Sequence, residues 1–475
     1  MEFFFNFDYP EDYYEEVNIH YIRKAICISK IIFYSKMSAP PEYYWNNQHY
    51  YNYSPNFYGN EMMMMNNNFY QQPYLDNNKN INNNNNYYNK QNEQYYNKPF
   101  IQHQQFNNGI NNTNNFQKED TFKPAEHLRG LVNIANTCYM NSIIQCFAHI
   151  KELFTYFEKP KIMQLMSAPE NNQKLAPVFS SLIIALWFPY DPSPLYPYIF
   201  KERLGKMNPL FAGAMPNDAK DLLTFLLMQL HEELNNPKSN SNNQSIIPNI
   251  EMQKNKKEMR NYFAKYFREN YRSIISGLFY GLNYNETQCL SCNITLYNFQ
   301  TFNFLIFPLF EVLNYKMKLV NNQTNFNYTV TLEDCFKYNQ IYSPLNEYYC
   351  NACKRNSKGK YATFLSVLPN ILIIILNRGA GLQYKVKIDF DENLDLKNYV
   401  ELFKEDSFYE LMGVITHYGE SGISGHFMAR CKSPLDTFWY LYNDAIVQKI
   451  EYFTKEKFLQ GNPYILFYRK TKFQK

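Results

Sequence analysis

Residues 130–145 read Gly-Leu-Val-Asn-Ile-Ala-Asn-Thr-Cys-Tyr-Met-Asn-Ser-Ile-Ile-Gln and place Cys138 at the mouth of a helix. From Met140 onward, Ile143, Ile144, Phe147 and Ile150 recur at helical spacing. Asn136 or Thr137 is placed to cap that helix by accepting a backbone N–H. A thiol at such a helix start feels the positive end of the dipole, which favours thiolate and nucleophilicity. Against this, a lone intracellular cysteine is ordinarily a buried structural residue. The rest of the chain decides between the two by supplying, or not supplying, a base and a group to orient it.

At 475 residues the chain has room for two or three average domains, or one large domain with disordered flanks. A formal net charge of +4 calls for neither nucleic acid nor a membrane as partner. Nine cysteines cannot all pair, which fits a reducing compartment, cytoplasm or nucleus. The longest aliphatic run, residues 371–376, is too short to span a bilayer. The acidic opening Met-Glu-Phe-Phe-Phe is unlike a signal peptide.

Residues 1–36 show no periodicity, and the composition changes at Met37, so an extended reading frame with Met37 as the true start is one expectation. Residues 37–125 are dominated by Asn, Gln and Tyr and hold too few aliphatic residues to offset chain entropy, so a disordered tail is expected. Ordered patterning runs over residues 128–470. Residues 219–234 read as an amphipathic helix with Leu222, Leu223, Leu226, Leu227 and Leu230 as its buried stripe. Residues 235–257 are polar and read as a surface insertion. Strands are expected at 302–309, 363–368, 371–376, 411–417, 426–430, 438–442 and 464–468. Helices first and strands afterwards make an α+β domain.

A thiol nucleophile needs a base that works near neutrality, and histidine is the residue that does this readily. Two of the eight histidines, His417 and His426, lie in the strand region. His426 follows a Gly-Ile-Ser-Gly loop and opens a strand, at the edge of a cleft; His417 ends the preceding strand and reads equally as a core residue. Downstream, Asn443 or Asp444 can hold the imidazole by accepting its Nδ1–H. Adjacent strand residues point to opposite faces, so only one of the two should reach the ring. Separately, Cys289-Leu-Ser-Cys292 and Cys350-Asn-Ala-Cys353 supply four thiolates, enough for a closed tetrahedral zinc site clamping two hairpins. Redox dithiols are the competing reading.

These stretches together resemble the ubiquitin-specific proteases, the papain-like cysteine deubiquitinases. Residues 130–145 resemble their cysteine box; residues 409–419, Gly425-His426-Phe427 and residues 439–444 resemble their histidine box. Residues 278–365, with both cysteine pairs, are similar to their zinc-bearing fingers, and residues 369–378 to their central strand. The resemblance implies a papain-like palm, thumb and fingers gripping ubiquitin, a structural zinc ion, no catalytic cofactor and a monomeric catalytic domain. It assigns Cys138 as nucleophile, His426 as base, Asn443 as orienting residue, Asp444 as auxiliary contact and Asn133 as oxyanion donor, such donors being worth about 3–4 kcal/mol each. The reaction implied is thioester formation and hydrolysis at the C-terminal Gly of ubiquitin. A non-catalytic ubiquitin-binding scaffold and a protease for another ubiquitin-like modifier are the alternatives. Ala135 stands where the family has Gly, Phe427 where Tyr is common, and residues 377–379 lack the familiar Lys-Arg-Phe. Residues 216–223 replace Gln-Gln-Asp-Ala-x-Glu-Phe-Leu, with Asp218 kept as the substrate-binding position.

Overall fold

In a computed structural model of the chain, residues 127–187, 193–237, 248–319, 329–401, 406–421 and 424–471 are described. The readings of residues 1–36 and 37–125 lie outside them. The first part is helical: α1 (Cys138–Ala148), α2 (Lys151–Phe157), α3 (Pro160–Met166), α4 (Leu175–Leu186), α5 (Tyr198–Met207), α6 (Ala219–Leu234), α7 (Ile250–Lys254), α8 (Lys256–Asn270) and α9 (Ile274–Phe279). Then come β1 (Gly281–Cys289), β2 (Thr295–Phe302), β3 (Leu305–Pro308), α10 (Leu309–Leu319), β4 (Val330–Thr331), α11 (Leu332–Asn339), β5 (Ser343–Cys350) and β6 (Arg355–Val367). The chain closes with β7 (Ile371–Asn377), β8 (Ile388–Asp389), β9 (Asn393–Asp395), β10 (Phe408–Ser421), β11 (Ser424–Lys432), β12 (Trp439–Asn443), β13 (Ile446–Ile450), α12 (Lys455–Phe458) and β14 (Asn462–Lys470). This is the α+β arrangement expected.

The large sheet runs β13-β12-β11-β10-β14-β7-β3, with β9 on the edge of β10. Both faces are covered, and β7 shows why its sequence is an unbroken aliphatic run. Ile371, Ile373 and Ile375 point into the core shared with the helices, whereas Leu372, Ile374 and Leu376 point into a second core under α10 and α11. A strand buried on both faces has no polar alternation to show. Helix α1 lies in the first core with all eleven of its residues buried, packed against β11, β10, β12 and α6. Cys146 on α1 meets Cys431 on β11, Sγ to Sγ at 3.8 Å, so the helix that begins at Cys138 and the strand carrying His426 share one packing surface.

The second sheet, β2-β1-β6-β5, is antiparallel and mostly half-buried. Its β1, β2 and β5 were not expected from sequence: their residues alternate weakly and carry Asn, Glu, Gln and Thr on both faces. The strand expected at 302–309 is two pieces, because the chain bends between Phe302 and Leu305 and passes from one sheet to the other. Part of the polar stretch read as a surface insertion is helical: α7 and the start of α8 lie on β2, with Met259 buried against Tyr284 and Phe299. Residues 238–247 of that stretch are outside the described ones.

Candidate active site

The segment before α1 closes on itself. Thr137 N–H donates to Asn133 Oδ1 at 2.9 Å, and Ile134 N–H donates to Thr137 Oγ1 at 3.0 Å. The expected cap is therefore not made: Thr137 occupies the N-cap position with its hydroxyl spent on the loop, and Asn136 Nδ2 donates to Ala214 O at 3.0 Å. The first-turn N–H groups of α1 carry no side-chain cap, and Cys138, 7% exposed, sits at that positive end. Ala135 (φ 66°) and Asn136 (φ 58°) are both left-handed, which swings the chain into the helix.

His426, at the start of β11, lies beside Cys138, whose side chain is the largest influence on its pKa. Its Nε2 lies 2.7 Å from Asn443 Oδ1, at the end of β12. A carboxamide oxygen only accepts, so Nε2 carries a proton and Nδ1 is the ring nitrogen left for Cys138. That reverses the nitrogen expected from sequence: the orienting bond is at Nε2, because β11 and β12 lie side by side and Asn443 meets the ring edge remote from α1. The His426 imidazole is raised to about 9, first by its hydrogen bond to Cys138, then against burial, by Asn443 and the charge of Asp444. His417 is fully buried in β10, with Nδ1 2.7 Å from Tyr384 Oη and Phe427 packed on its ring; burial lowers its pKa to about 4. It faces the core and not Cys138.

Asp444 follows β12 in a left-handed turn (φ 52°). Its Oδ2 is 3.9 Å from His426 Nε2, but its hydrogen bonds go elsewhere. Oδ2 accepts from Asn133 Nδ2 at 2.9 Å and Oδ1 from Asn141 Nδ2 at 2.8 Å. Asn133 thus keeps one N–H uncommitted. Asn141 was missed in the sequence; like Ser142 and Gln145 it is polar in a fully buried helix, and it lies one turn after Cys138 on the same face.

In the second sheet, Cys289, Cys292, Cys350 and Cys353 come together where β1 runs into β2 and β5 into β6, their sulfurs within 4.8 Å of one another. Cys292 and Cys350 Sγ are 3.9 Å apart. A tetrahedral ion with Zn–S bonds of about 2.3 Å holds its sulfurs about 3.8 Å apart, so the set fits such an ion. After each second cysteine the chain turns left-handed, at Asn293 (φ 58°) and Lys354 (φ 55°), and Leu290 N–H donates to Lys358 O at 2.9 Å between the hairpins. Four thiols at one point suit a closed metal site.

Over residues 129–468 the chain matches the family described as ubiquitin carboxyl-terminal hydrolase. The chain belongs to this family. It is 28% identical over 361 residues to ubiquitin carboxyl-terminal hydrolase 2 of Bos taurus, covering 73% of this chain and 55% of that protein. It is 27% identical over 370 residues to ubiquitin carboxyl-terminal hydrolase 3 of Homo sapiens, covering 71% and 67%. The chain therefore spans about half the length of the curated relatives first matched, 54–56%. Among solved structures, the SAGA DUB module of Ubp8, Sgf11, Sus1 and Sgf73 bound to ubiquitin aldehyde is similar at a TM-score of 0.52 and 21% identity, covering 74% of this chain and 71% of that one. The same module bound to monoubiquitin gives 0.53 and 20%, with 74% and 72% covered. The shared fold is the papain-like one of the ubiquitin-specific proteases.

Against the family's pattern, this hydrolase family member departs at positions with visible surroundings. Phe427 is buried between His417 and Tyr464, where a hydroxyl is not needed. Asp218 caps α6 by accepting from Lys220 N–H at 2.9 Å, and its Oδ2 also takes Tyr464 Oη at 2.7 Å and Lys220 Nζ at 2.6 Å. It is 4% exposed and occupied by these partners. Asn217 Nδ2 donates to Met215 O at 3.0 Å. Ala135 is left-handed where the family's Gly would be unstrained, a cost of about 1–2 kcal/mol set against about 0.5–1 kcal/mol for the greater freedom of Gly in the unfolded chain. Ala135→Gly is therefore expected to raise unfolding stability by about 0.5–1 kcal/mol in urea. A loss of stability would show that the left-handed turn is not the resting conformation.

Proposed function

We propose that the protein is a thiol-dependent deubiquitinase that hydrolyses the peptide or isopeptide bond at the C-terminal Gly of ubiquitin. The observation that carries this reading is the alignment of Cys138 at the start of α1 with His426, whose other ring nitrogen is held by Asn443. Cys138 Sγ attacks the scissile carbonyl from a thiolate–imidazolium pair with His426, whose raised pKa keeps the proton on Nδ1 at neutral pH. The carbonyl oxygen becomes an oxyanion, met by the uncommitted N–H of Asn133 and the backbone N–H groups at the start of α1. His426 then protonates the leaving amine, and water, activated by the same ring, hydrolyses the thioester. Asn443 fixes the ring without a full charge, and Asp444 acts on Asn133.

The raised His426 pKa is part of this reading. With a folded value near 9, above the ordinary value of about 6.5, its stabilising contribution is complete below about 6.5 and lost as pH rises through about 9. Because the bond to Cys138 is the largest cause, Cys138→Ala is expected to move the ring's NMR titration down toward about 6.5. A ring that still titrates near 9 in that variant would contradict the pairing.

At the four cysteines the reading is a structural zinc ion, which would tie two hairpins and leave no open coordination position. Eight described cysteines are free thiols, which supports a reducing compartment, cytoplasm or nucleus. Among the described residues no helix is long and apolar enough to cross a membrane.

The test is to incubate the full chain with ubiquitin and ubiquitin-like proteins carrying a C-terminal electrophile, and to map the adduct. Labelling of Cys138 by ubiquitin is the expected result. Binding of ubiquitin with no adduct would make the protein a scaffold, and labelling by another modifier alone would replace the substrate.

A further inference from the structure

Asn141 is a polar residue inside α1, a helix whose every residue is buried. It is 2% exposed and lies one turn along α1 from Cys138. Its Nδ2 donates to Asp444 Oδ1 at 2.8 Å and to the carbonyls of Leu131 and Val132, each at 3.3 Å. An amide nitrogen has two hydrogens, so one serves Asp444 and the other is shared by the two carbonyls. Its Oδ1 is buried and accepts nothing. Turning the amide over does not help, because these three neighbours are all acceptors. The orientation that leaves one acceptor empty is the one that satisfies three, and a buried orphan of this kind asks for an explanation.

The explanation lies in what those donors hold. Asp444 divides its carboxylate between two amides, Oδ1 to Asn141 and Oδ2 to Asn133. Asn133 Oδ1 is fixed in turn by Thr137 N–H at 2.9 Å. The Asn133 amide plane is therefore held at both ends, which sets the direction of its remaining N–H. The main chain repeats the tie, Leu131 N–H donating to Asp444 O at 3.0 Å. One rigid helix thus carries both the nucleophile and the anchor of its side-chain donor. Without the anchor, the Asp444 carboxylate is free to turn toward His426 Nε2, now 3.9 Å away.

We infer that Asn141 is a positioning residue of the reaction: acting through Asp444, it fixes the free N–H of Asn133 where the oxyanion forms beside Cys138. It touches neither substrate nor reacting atoms. The inference rests on the hydrolase reading proposed above.

The experiment uses the full chain with Asn141→Leu, which keeps the branching at Cγ and removes the donors, and Asn141→Asp, which keeps the shape and puts acceptors in their place. Ubiquitin joined to a lysine side chain is the substrate. The kcat is expected to fall about 10- to 100-fold, with KM within about twofold of the parent. Alkylation of Cys138 by iodoacetamide, which displaces iodide and develops no oxyanion, is expected to stay within about twofold. Thermal melting checks that each variant is folded. In an Asn133→Ala background, Asn141→Leu is expected to cost less than about threefold more, because the group it positions is gone. An unchanged kcat, alkylation that falls in step with kcat, or an undiminished effect in the Asn133→Ala background each overturns the inference. A parent chain that turns over no conjugate overturns the functional reading and this inference with it; an active parent with active variants overturns the inference alone.

Discussion

Cys138→Ala is expected to lower hydrolysis of ubiquitin conjugates by about 10⁵- to 10⁶-fold, the scale on which loss of a protease nucleophile acts. The effect is expected to be this large because the proposed nucleophile and base act as one unit. His426 is tuned by Cys138 and held by Asn443, so nothing else at the start of α1 replaces the sulfur. Affinity for ubiquitin is expected to stay within a fewfold, since the side chain is small and nine-tenths covered. Single-turnover assays and binding isotherms on the same preparation check both halves. Residual hydrolysis above about one per cent, with Cys138 absent, would move the chemistry to another residue.

The second large effect is expected at the fingers. The four-stranded sheet has little apolar core of its own: Met259, Tyr284 and Phe299 form one small buried cluster, and Phe267, Leu282 and Val367 another. Neither lies at the hairpin ends, where the four cysteines meet. Structural zinc contributes apparent binding energies of about 10–16 kcal/mol, far more than such clusters supply. Purified protein is thus expected to carry one zinc per chain. Cys289→Ser is expected to lose it, together with hydrogen-exchange protection over β1, β2, β5 and β6, while the large sheet stays protected. Zinc content undiminished by that substitution would refute the four-cysteine site.

Much of the architecture was legible in the sequence because burial leaves a pattern. The leucine stripe of α6 and the aliphatic run of β7 each read directly, one with helical period and the other with two covered faces. The fingers strands did not read so. Residues of β1 such as Asn285, Glu286, Thr287 and Gln288 are half-buried on both sides, and no alternation survives there. Helices α7 and α8 were hidden for a related reason: their composition is polar, and it is packing on β2 that fixes them. The N-cap was misread because Thr137 has two hydrogen-bonding choices, and the loop claims its hydroxyl before the helix does.

The sequence alone determined the presence and order of the parts: a thiol at a helix start, two histidines in late strands, an Asn-Asp pair, and two cysteine pairs. These follow from local spacing, which the chain carries wherever it folds. Tertiary structure decided which parts meet. The β10–β11 register sets His417 opposite Phe427 and sends one histidine into the core while the other faces Cys138. The turn after β12 carries Asp444 past the imidazole to Asn133 and Asn141, residues more than 300 positions earlier in the chain. Such contacts depend on the direction of a side chain across a sheet and on the sign of one backbone angle. Neither is written in spacing, and both are fixed only when the first core closes around α1.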